Sequence, residues 1–382
     1  MARRVLATLE SRATYGYSRN VMRAMGDFPG LELSTLVTGM HLMPELGNSI
    51  ELIRQDGFPI SATVPMTPQD ARNSAWSRAL GEAIAGFARA YETIAPDIVL
   101  IFGDRAESFG CCVAAAYMGL PVAHVQAGDK SGHIDDSARM AIAKLAHIHL
   151  ASCEDSAHRL HRLGEQDFRV FNVGAPQLDD IVDRDFNATS VVIDGKAHDL
   201  SKPYLLVLQH PVMADRDESG AQMQQSLQAC VATDLPVYCI YPNSDLGYRA
   251  MIDAIAAHQA GGKLTLLSNV ERDQFLTLLA NAAVLVGNSS SGILEAPSFR
   301  VPAVNIGERQ RGRQQASNIL NCPHDQAAIG AAIEIALHEP TFRAICARAI
   351  NPYGDGRSGP RICKILERLA IDRRLLDKET TY

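Results

Sequence analysis

The sequence predicts an α/β protein built from two doubly wound, Rossmann-like domains. Apolar runs of strand length alternate with segments of helical period through most of the 382 residues. Several of these runs are apolar throughout, which is typical of parallel strands covered by helices on both faces. The length also exceeds what one hydrophobic core usually serves, so two domains are expected.

The first domain, residues 1–180, opens with a strand at 3–10 and a helix that ends near Met25. A second strand at 31–39 is rich in β-branched residues, and residues 76–94 have a helical period. The next strand begins at Pro96 and ends near Gly103. Helices at 108–119, 134–147 and 155–164 then alternate with strands at 120–129 and 148–154. This repeated β-α-β order predicts a parallel sheet.

The second domain starts after residues 180–202, which are polar and have no sustained period. Apolar strands are predicted at 204–211, 235–245, 262–269, 283–287 and 301–307, with a helix at 272–282. A last helix at 359–370 is expected to end the compact part of the chain.

Composition excludes several classes of protein. Apolar residues make up 47% and charged residues 21%, and the net charge of -7 argues against a general nucleic-acid binder. The eight cysteines form no CxxC pair, so they predict free thiols in a reducing compartment, the cytoplasm. No stretch approaches the ~20 apolar residues that span a bilayer, and the run after the two arginines of MARRVLATLE is too short for the apolar region of a signal peptide.

Polar residues follow the strands of the first domain, where parallel α/β sheets bind ligands. Arg12 follows the first strand and is either a ligand-binding or a surface residue. Asp104 and Arg105 follow the strand at 96–102, where Asp104 is either an N-cap or a functional carboxylate. The densest stretch is HVQAGDKSGHIDDSAR, which holds His124, Gln126, Asp129, Lys130, His133, Asp135, Asp136 and Arg139.

That stretch allows three interpretations. Asp135 and Asp136 could simply complement the dipole of the following helix. Alternatively, a second acidic loop beside Asp104 would suit general acid–base chemistry. Metal binding is a third interpretation, although the spacing matches no known metal motif.

The second domain carries His210 at the tip of its first strand and the loop GNSSSG at 287–292. Free N–H groups, a helix dipole and short hydroxyls together favour an anion, with Ser289 and Ser290 holding phosphate oxygens. Glu295, about one turn into the following helix, is suited to the two hydroxyls of a ribose. A serine-rich N-cap loop would leave Glu295 unexplained. The neighbouring loop supplies Arg309, Arg311 and Arg313, at least one of which is expected to contact a diphosphate.

Taken together, these motifs resemble the hydrolysing UDP-N-acetylglucosamine 2-epimerases, which include bacterial sialic-acid-pathway enzymes and the epimerase half of a bifunctional animal enzyme. The resemblance runs nearly end to end. Its longest stretches are SRATYG, VTGMHL, SGHIDDSARMAIAKLAH, LQHPV, YPNSD, GNSSSGILE, NIGERQRGR and YGDGRSGPRI.

The resemblance implies a GT-B-like fold, with the active site in the cleft between the domains. It assigns sugar chemistry to residues 1–180, UDP binding to 181–358, and to 359–382 a helix that packs back on the first domain. It also implies a homodimer that uses no metal or cofactor.

The implied reaction removes the C2 proton of the sugar and expels UDP from C1, which leaves a 2-acetamidoglucal. Water then adds at C1 and a proton returns to C2, giving the free manno-configured sugar. By matching position, Asp104 and Asp135 are the catalytic carboxylates, His210 lies near the diphosphate, and the residues that contact UDP or its phosphates are Ser289, Ser290, Glu295, Arg12, Arg105 and Arg309. With the other candidates added, the expected catalytic set is Asp104, Asp135, Asp129, Gln126 and His210, and the expected nucleotide-binding set is Arg12, Arg105, Asn243, Ser289, Ser290, Glu295, Arg309 and Arg313.

One departure concerns Gln126, where the family usually has Glu, because an amide cannot carry a proton. Either Asp129 replaces that carboxylate, or Asp104 and Asp135 suffice, or the substrate is a different sugar, such as the 2,4-diacetamido sugar of legionaminic acid synthesis, or a different nucleotide. Two further hypotheses are a GT-B glycosyltransferase and a nucleotide-sugar binder without turnover.

Overall fold

The computed structural model describes residues 2–43, 49–68, 73–130, 134–243, 245–259, 261–268 and 270–381. Two compact units are present, one formed by residues 1–182 with 353–382 and the other by 183–352. The first limit lies beside the predicted boundary at 180, whereas the chain rejoins the first unit at Tyr353 rather than at residue 359. No helix among the described residues is both long and apolar enough to cross a bilayer.

The first unit is built on a seven-stranded parallel sheet in the order β3-β2-β1-β4-β5-β6-β7. Its strands are β1 (Arg3–Leu9), β2 (Leu31–Thr38), β3 (Ile60–Val64), β4 (Ile98–Phe102), β5 (Val122–Val125), β6 (Ile148–Ala151) and β7 (Val170–Asn172). The helices between them are α1 (Arg12–Met25), α2 (Ile50–Gln55), α3 (Asn73–Ile94), α4 (Ala106–Tyr117), α5 (Ile134–Leu145) and α6 (Glu154–Arg162).

Both faces of this sheet are buried. Val5, Leu100 and Phe102 face a cluster that includes residues of α1, whereas Leu6, Val99 and Ile101 face one formed with α3, α4 and α5. Successive strand residues point to opposite faces, so a strand covered on both sides must be apolar throughout. The strand order reverses between β1 and β4, and ligands bind at such switch points in α/β sheets.

The second unit begins with an antiparallel hairpin, β8 (Ser190–Ile193) and β9 (Lys196–Asp199), within the segment for which no element was predicted. Its turn is Asp194–Gly195, with both residues at positive φ. An Asp-Gly pair of this kind is typical of a tight hairpin turn, so the signal was present in the sequence.

The main sheet of this unit has six parallel strands in the order β12-β11-β10-β13-β14-β15. They are β10 (Leu205–Val207), β11 (Val237–Ile240), β12 (Leu264–Leu267), β13 (Val284–Gly287), β14 (Ala303–Ile306) and β15 (Ile319–Cys322). The helices are α7 (Ser219–Val231), α8 (Tyr248–Gln259), α9 (Arg272–Asn281), α10 (Ser291–Leu294), α11 (Ala296–Phe299), α12 (Gln326–His338) and α13 (Pro340–Cys346). The order reverses between β10 and β13. The prediction of two doubly wound α/β units is therefore confirmed.

The chain then returns to the first unit through α14 (Ser358–Arg368) and α15 (Arg373–Leu376). Ile362, Cys363 and Leu366 of α14 pack with α1 on one face of the first sheet. Asp179 accepts the backbone N–H of Ser358 at 2.9 Å and so caps the start of α14. The expectation that the compact part ends near residue 370 is wrong, because Leu375 is also buried in this core.

Candidate functional site

Asp104 lies directly after β4, at the switch point of the first sheet. It is not the N-cap of α4, since Arg105 occupies that position without a side-chain cap. Instead, the carboxylate accepts a hydrogen bond from Nη2 of Arg139, a residue of α5, and their side chains are 15% and 6% exposed. The helix-cap interpretation of Asp104 is therefore wrong, and its functional role stays a prediction.

Arg139 also joins the neighbouring turn. Its Nη1 donates to the main-chain carbonyl of Gln126 at 2.6 Å, just after β5. Burial opposes the charge of this guanidinium, but Asp104 and Asp129 outweigh burial and raise the pKa of Arg139. One arginine thus holds together the turns that follow β4 and β5.

Gln126 and Asp129 occupy the turn after β5. Gln126 is buried and has a left-handed backbone (φ 60°), which is strained for a residue with a Cβ. Asp129 accepts hydroxyl hydrogen bonds at Oδ1 from Ser156, at 2.7 Å, and from Ser152. The turn is therefore fixed from two sides, by Arg139 and by two serines, Ser152 just after β6 and Ser156 of α6.

The predicted carboxylate Asp135 is the second residue of α5, but its side chain lies outside the described residues, as does all of His133. Lys130 is exposed. His124 is buried, and its Nε2 donates to the carbonyl of Gly103 at 2.6 Å. Burial lowers the pKa of His124 to about 3, which makes it a neutral support for the Asp104 turn.

Glu10 is a site residue that sequence reasoning missed. It follows β1, is 1% exposed and lies near Glu107 of α4, which is 2% exposed and 3.4 Å from Nε of Arg105. The Thr14 hydroxyl is close enough to lower the pKa of Glu10, but within the part of the chain that the structure describes no hydrogen bond of ordinary geometry reaches either carboxyl oxygen. The available signal was a carboxylate at the C-terminal end of an apolar strand, beside Arg12.

The VTGMHL motif packs against this acidic pair. Gly39 has a φ of 56°, and a Cβ at this position would lie 2.5 Å from Oε1 of Glu107, so glycine is required. His41 is fully buried with its Nδ1 2.8 Å from the Ser49 hydroxyl, and burial lowers its pKa to about 4. His41 is therefore neutral. Arg12, the first residue of α1 in the same unit, is exposed.

Glu10 should make stability depend on pH. Burial and the Glu107 charge raise the pKa of Glu10 from 4.5 to about 8, so the folded state retains a proton that the unfolded state loses. This contribution is fully present below pH ~4.5 and is lost as the pH rises through ~8. We expect Glu10→Gln to flatten the corresponding fall in the urea midpoint between pH 5 and 8.5. Glu32→Gln, at an exposed site on β2, is the control. A Glu10→Gln protein whose urea midpoint falls with rising pH as steeply as that of the wild type would contradict this prediction.

In the second unit, His210 is held at the switch point by two asparagines. Asn288 accepts the His210 backbone N–H at 2.7 Å and donates to the His210 carbonyl at 2.8 Å. The Asn243 backbone N–H donates to Nδ1 of His210 at 3.1 Å. Because Nδ1 accepts, the proton of the neutral ring is on Nε2. Burial and the Arg309 charge lower the pKa of His210 to about 3, so it is a neutral hydrogen-bond donor.

The GNSSSG loop follows β13 closely. Gly287 has a φ of 140°, and a Cβ at this position would lie 2.2 Å from the Leu208 carbonyl. Ser289 is buried and accepts the Ser291 N–H at 3.3 Å, whereas Ser290 is half-buried at the N-cap of α10 without a side-chain cap. The N-cap interpretation therefore accounts for one contact of Ser289 at the start of α10, but not for the hydroxyl of Ser290.

Glu295 is not one turn into a continuous helix, as the sequence suggested. It lies at the junction of two four-residue helices, α10 and α11, and is 4% exposed. Nη1 of Arg272, at the start of α9, donates to Oε1 of Glu295. This ion pair was not predicted, because 23 residues separate its partners in the sequence.

The three arginines of the next loop have different surroundings. Arg309 donates to the Asn288 carbonyl at 3.2 Å, and Gln310 donates to the same oxygen at 2.9 Å. Arg311 pairs with exposed Glu308 at 3.5 Å, so it belongs to the surface. Arg313 is half-buried, and its charge contributes to lowering the pKa of Arg309. Arg309 is thus the arginine that braces the serine loop.

Known proteins with similar sequences indicate the family. The sequence profile described as UDP-N-acetylglucosamine 2-epimerase matches residues 23–367. The chain belongs to this family. It is 34% identical over 382 residues, 100% of both chains, to a Legionella pneumophila protein named UDP-N,N'-diacetylbacillosamine 2-epimerase (hydrolyzing). It is 29% identical over 345 residues to the UDP-N-acetylglucosamine 2-epimerase of Neisseria meningitidis, covering 90% of this chain and 89% of that protein.

Solved structures of the epimerase family share the fold. The UDP-GlcNAc 2-epimerase of Neisseria meningitidis, solved bound to UDP-GlcNAc, superposes with a TM-score of 0.77 at 15% identity, covering 95% of this chain and 99% of that one. The chain is therefore an enzyme of the epimerase family with a GT-B-like fold, and the family predicted from its motifs is confirmed.

Proposed function

We propose that this enzyme is a hydrolysing nucleotide-sugar 2-epimerase that releases UDP and a free manno-configured sugar for nonulosonic acid synthesis. The observation that carries the proposal is the polar cluster at the switch point of each sheet. Arg139, Asp104 and Gln126 form the cluster of the first unit, and His210, Asn288 and Arg309 that of the second.

The cluster of the second unit suits a nucleoside diphosphate. His210 offers a neutral N–H, Ser289 and Ser290 offer hydroxyls, and Arg309 adds a positive charge, all of which stabilise phosphate oxygens. Glu295, whose Oε1 is held by Arg272, is assigned to the ribose hydroxyls. We assign Asn243 and Arg313 of this unit to the same nucleotide, and Arg12 and Arg105 stay predicted phosphate contacts by family resemblance.

The cluster of the first unit suits proton transfer at C2. A carboxylate takes the C2 proton, the C2–H electron pair forms the C1=C2 double bond, and the electron pair of the C1–O bond leaves with UDP. Water then adds its hydroxyl to C1 and gives up its second proton to a carboxylate, while an acid returns a proton to C2 on the opposite face. We assign these transfers to Asp104 and Asp135, which by family resemblance are the catalytic carboxylates. Ser152 and Ser156 occupy Oδ1 of Asp129, so any transfer at Asp129 passes through Oδ2.

Gln126 has a scaffolding role in this proposal. Its main-chain carbonyl orients Arg139, and Arg139 in turn orients Asp104. The Gln126 side chain takes no part in that contact, and we assign no proton transfer to it, because an amide carries no acidic proton.

The preferred sugar is proposed to be the 2,4-diacetamido sugar rather than UDP-GlcNAc. The support is the relative named for UDP-N,N'-diacetylbacillosamine, which matches at 34% over the whole chain, whereas the relative named for UDP-N-acetylglucosamine matches at 29% over 345 residues. The product would then lead to a legionaminic-type acid.

Two further properties are part of the proposal. All eight cysteines are free thiols, which supports residence in the reducing cytoplasm. The family resemblance supports a homodimer, which sedimentation of the purified protein would test.

Proton NMR in D2O with each nucleotide sugar tests the reaction directly. We expect release of UDP and a manno-configured sugar that carries deuterium at C2, and faster turnover of the diacetamido substrate. Tight binding without UDP release or C2 exchange would identify a binder without turnover. UDP release that requires an acceptor, with no C2 exchange, would identify a glycosyltransferase. Either result would overturn the proposal.

A further inference from the structure

The last residues of the chain are fixed to the first unit by two basic side chains. Arg169, which precedes β7, is fully buried. Its guanidinium donates to the carbonyls of Arg374 at 2.8 Å, Asp377 at 3.1 Å and Leu375. Buried charge-assisted hydrogen bonds of this number hold a segment firmly. These hydrogen bonds fix the backbone immediately before Lys378 against the first unit.

Lys378 reaches the C-terminal end of α5. Its ammonium lies 2.8 Å from the carbonyl of Ala143, 3.1 Å from that of Lys144 and 2.8 Å from that of Ala146. It also pairs with Glu165 at 2.6 Å, and this side chain of Lys378 is only 17% exposed. The last carbonyls of a helix have no partners within it, and a cation at that end complements the helix dipole.

Glu165 ties this contact to the sheet. Its Oε2 is 2.9 Å from Nε2 of His149, which lies in β6 and is fully buried. The ammonium of Lys378 therefore joins the end of α5 to the core of the first unit. Nothing in the sequence indicated this link, because more than 230 residues separate Lys378 from the helix that it caps.

We infer that Lys378 is a positioning residue, which holds α5 so that its opposite end presents the proton-transfer cluster correctly. Asp135 is the second residue of α5, and Arg139, the partner of Asp104, lies one turn later. A helix is a rigid element, and its 12 residues span about 18 Å, so a shift at one end is transmitted to the other. The catalytic meaning of this inference depends on the proposed function.

The test compares Lys378→Met, which keeps the apolar stem and removes the donors, with Lys378→Arg and with Lys364→Met, an exposed site on α14. For Lys378→Met we expect kcat to fall by about ten- to a hundred-fold, the cost of a small misplacement, with KM nearly unchanged. Amide hydrogen exchange in residues 134–145 should rise selectively. Lys378→Arg should restore much of kcat, and Lys364→Met should behave as wild type.

Three outcomes would overturn the inference. They are unchanged exchange in α5, a kcat equal to that of Lys364→Met, or faster exchange throughout the first unit with parallel loss of kcat and stability. Exchange is measured without substrate, so it also separates this inference from the proposed function. If the wild-type enzyme turns over neither nucleotide sugar, the proposed function fails, and exchange in α5 alone then supports or overturns the role of Lys378.

Discussion

Replacing Asp104 with Asn is expected to lower kcat by about 10²–10⁴-fold, the contribution of a positioned acid or base. Asn keeps the shape and one acceptor oxygen for Arg139, so the contact across the β4 and β5 turns should survive. UDP affinity should change little, because most of the residues assigned to the nucleotide belong to the second unit. Rates of UDP release and C2 deuteration measure kcat, and calorimetric titration measures UDP binding.

The control for Asp104→Asn is Asp167→Asn, a fully exposed carboxylate of the same unit. It removes the same charge and should leave turnover unchanged. If Asp104→Asn retained more than about a tenth of wild-type kcat, Asp104 would not be a proton-transfer group. A large loss of UDP affinity would instead indicate a role in binding.

Replacing Arg139 with Met is expected to cost about 3 kcal/mol of unfolding free energy, because it leaves a largely buried carboxylate without its charged partner. It also leaves the Gln126 carbonyl without its donor. Turnover should fall with stability, since the hydrogen bond by which Arg139 orients Asp104 is then lost. Urea unfolding measures the first effect, and single-turnover kinetics at a temperature where the variant is folded measures the second.

Arg139→Lys separates charge from geometry. Lysine keeps the positive charge but lacks the planar fork that reaches Asp104 and Gln126 together, so it should regain part of the stability and less of the turnover. Arg89→Met, at an exposed position of α3, is the control and should change neither. If Arg139→Met were as stable as that control, the ion pair would contribute no net stability.

The motifs located the functional region because position along a parallel strand is a local property. Asp104, His210 and the GNSSSG loop each follow an apolar run, and the carboxyl ends of parallel strands lie at one edge of a sheet. That rule placed each of them at the carboxyl end of a strand, and the strand order of the structure then showed that they lie at or beside a switch point. His147 and His149 lie instead at a helix-to-strand junction, where a strand begins, and His149 is buried against Glu165.

Glu10 is a residue whose surroundings could not be predicted from its neighbours in the sequence. Its place after β1 was visible, but its burial and the nearby Glu107 depend on how α4 packs on the sheet. The hairpin at Asp194–Gly195 is a different kind of miss, because its turn signal was local and was not used.

The sequence by itself determined the two-unit α/β fold, the family and which polar residues follow the strands, since hydrophobic period and motif spacing are carried by neighbouring residues. Only the tertiary structure decided the partners of those residues: Arg139 for Asp104, Arg272 for Glu295, Asn288 for His210 and Lys378 for the end of α5. Such pairs depend on strand order and helix packing, which bring together residues 23 to 235 positions apart. The protonation states of Glu10 and His210 depend on burial, and burial exists only once the chain has folded.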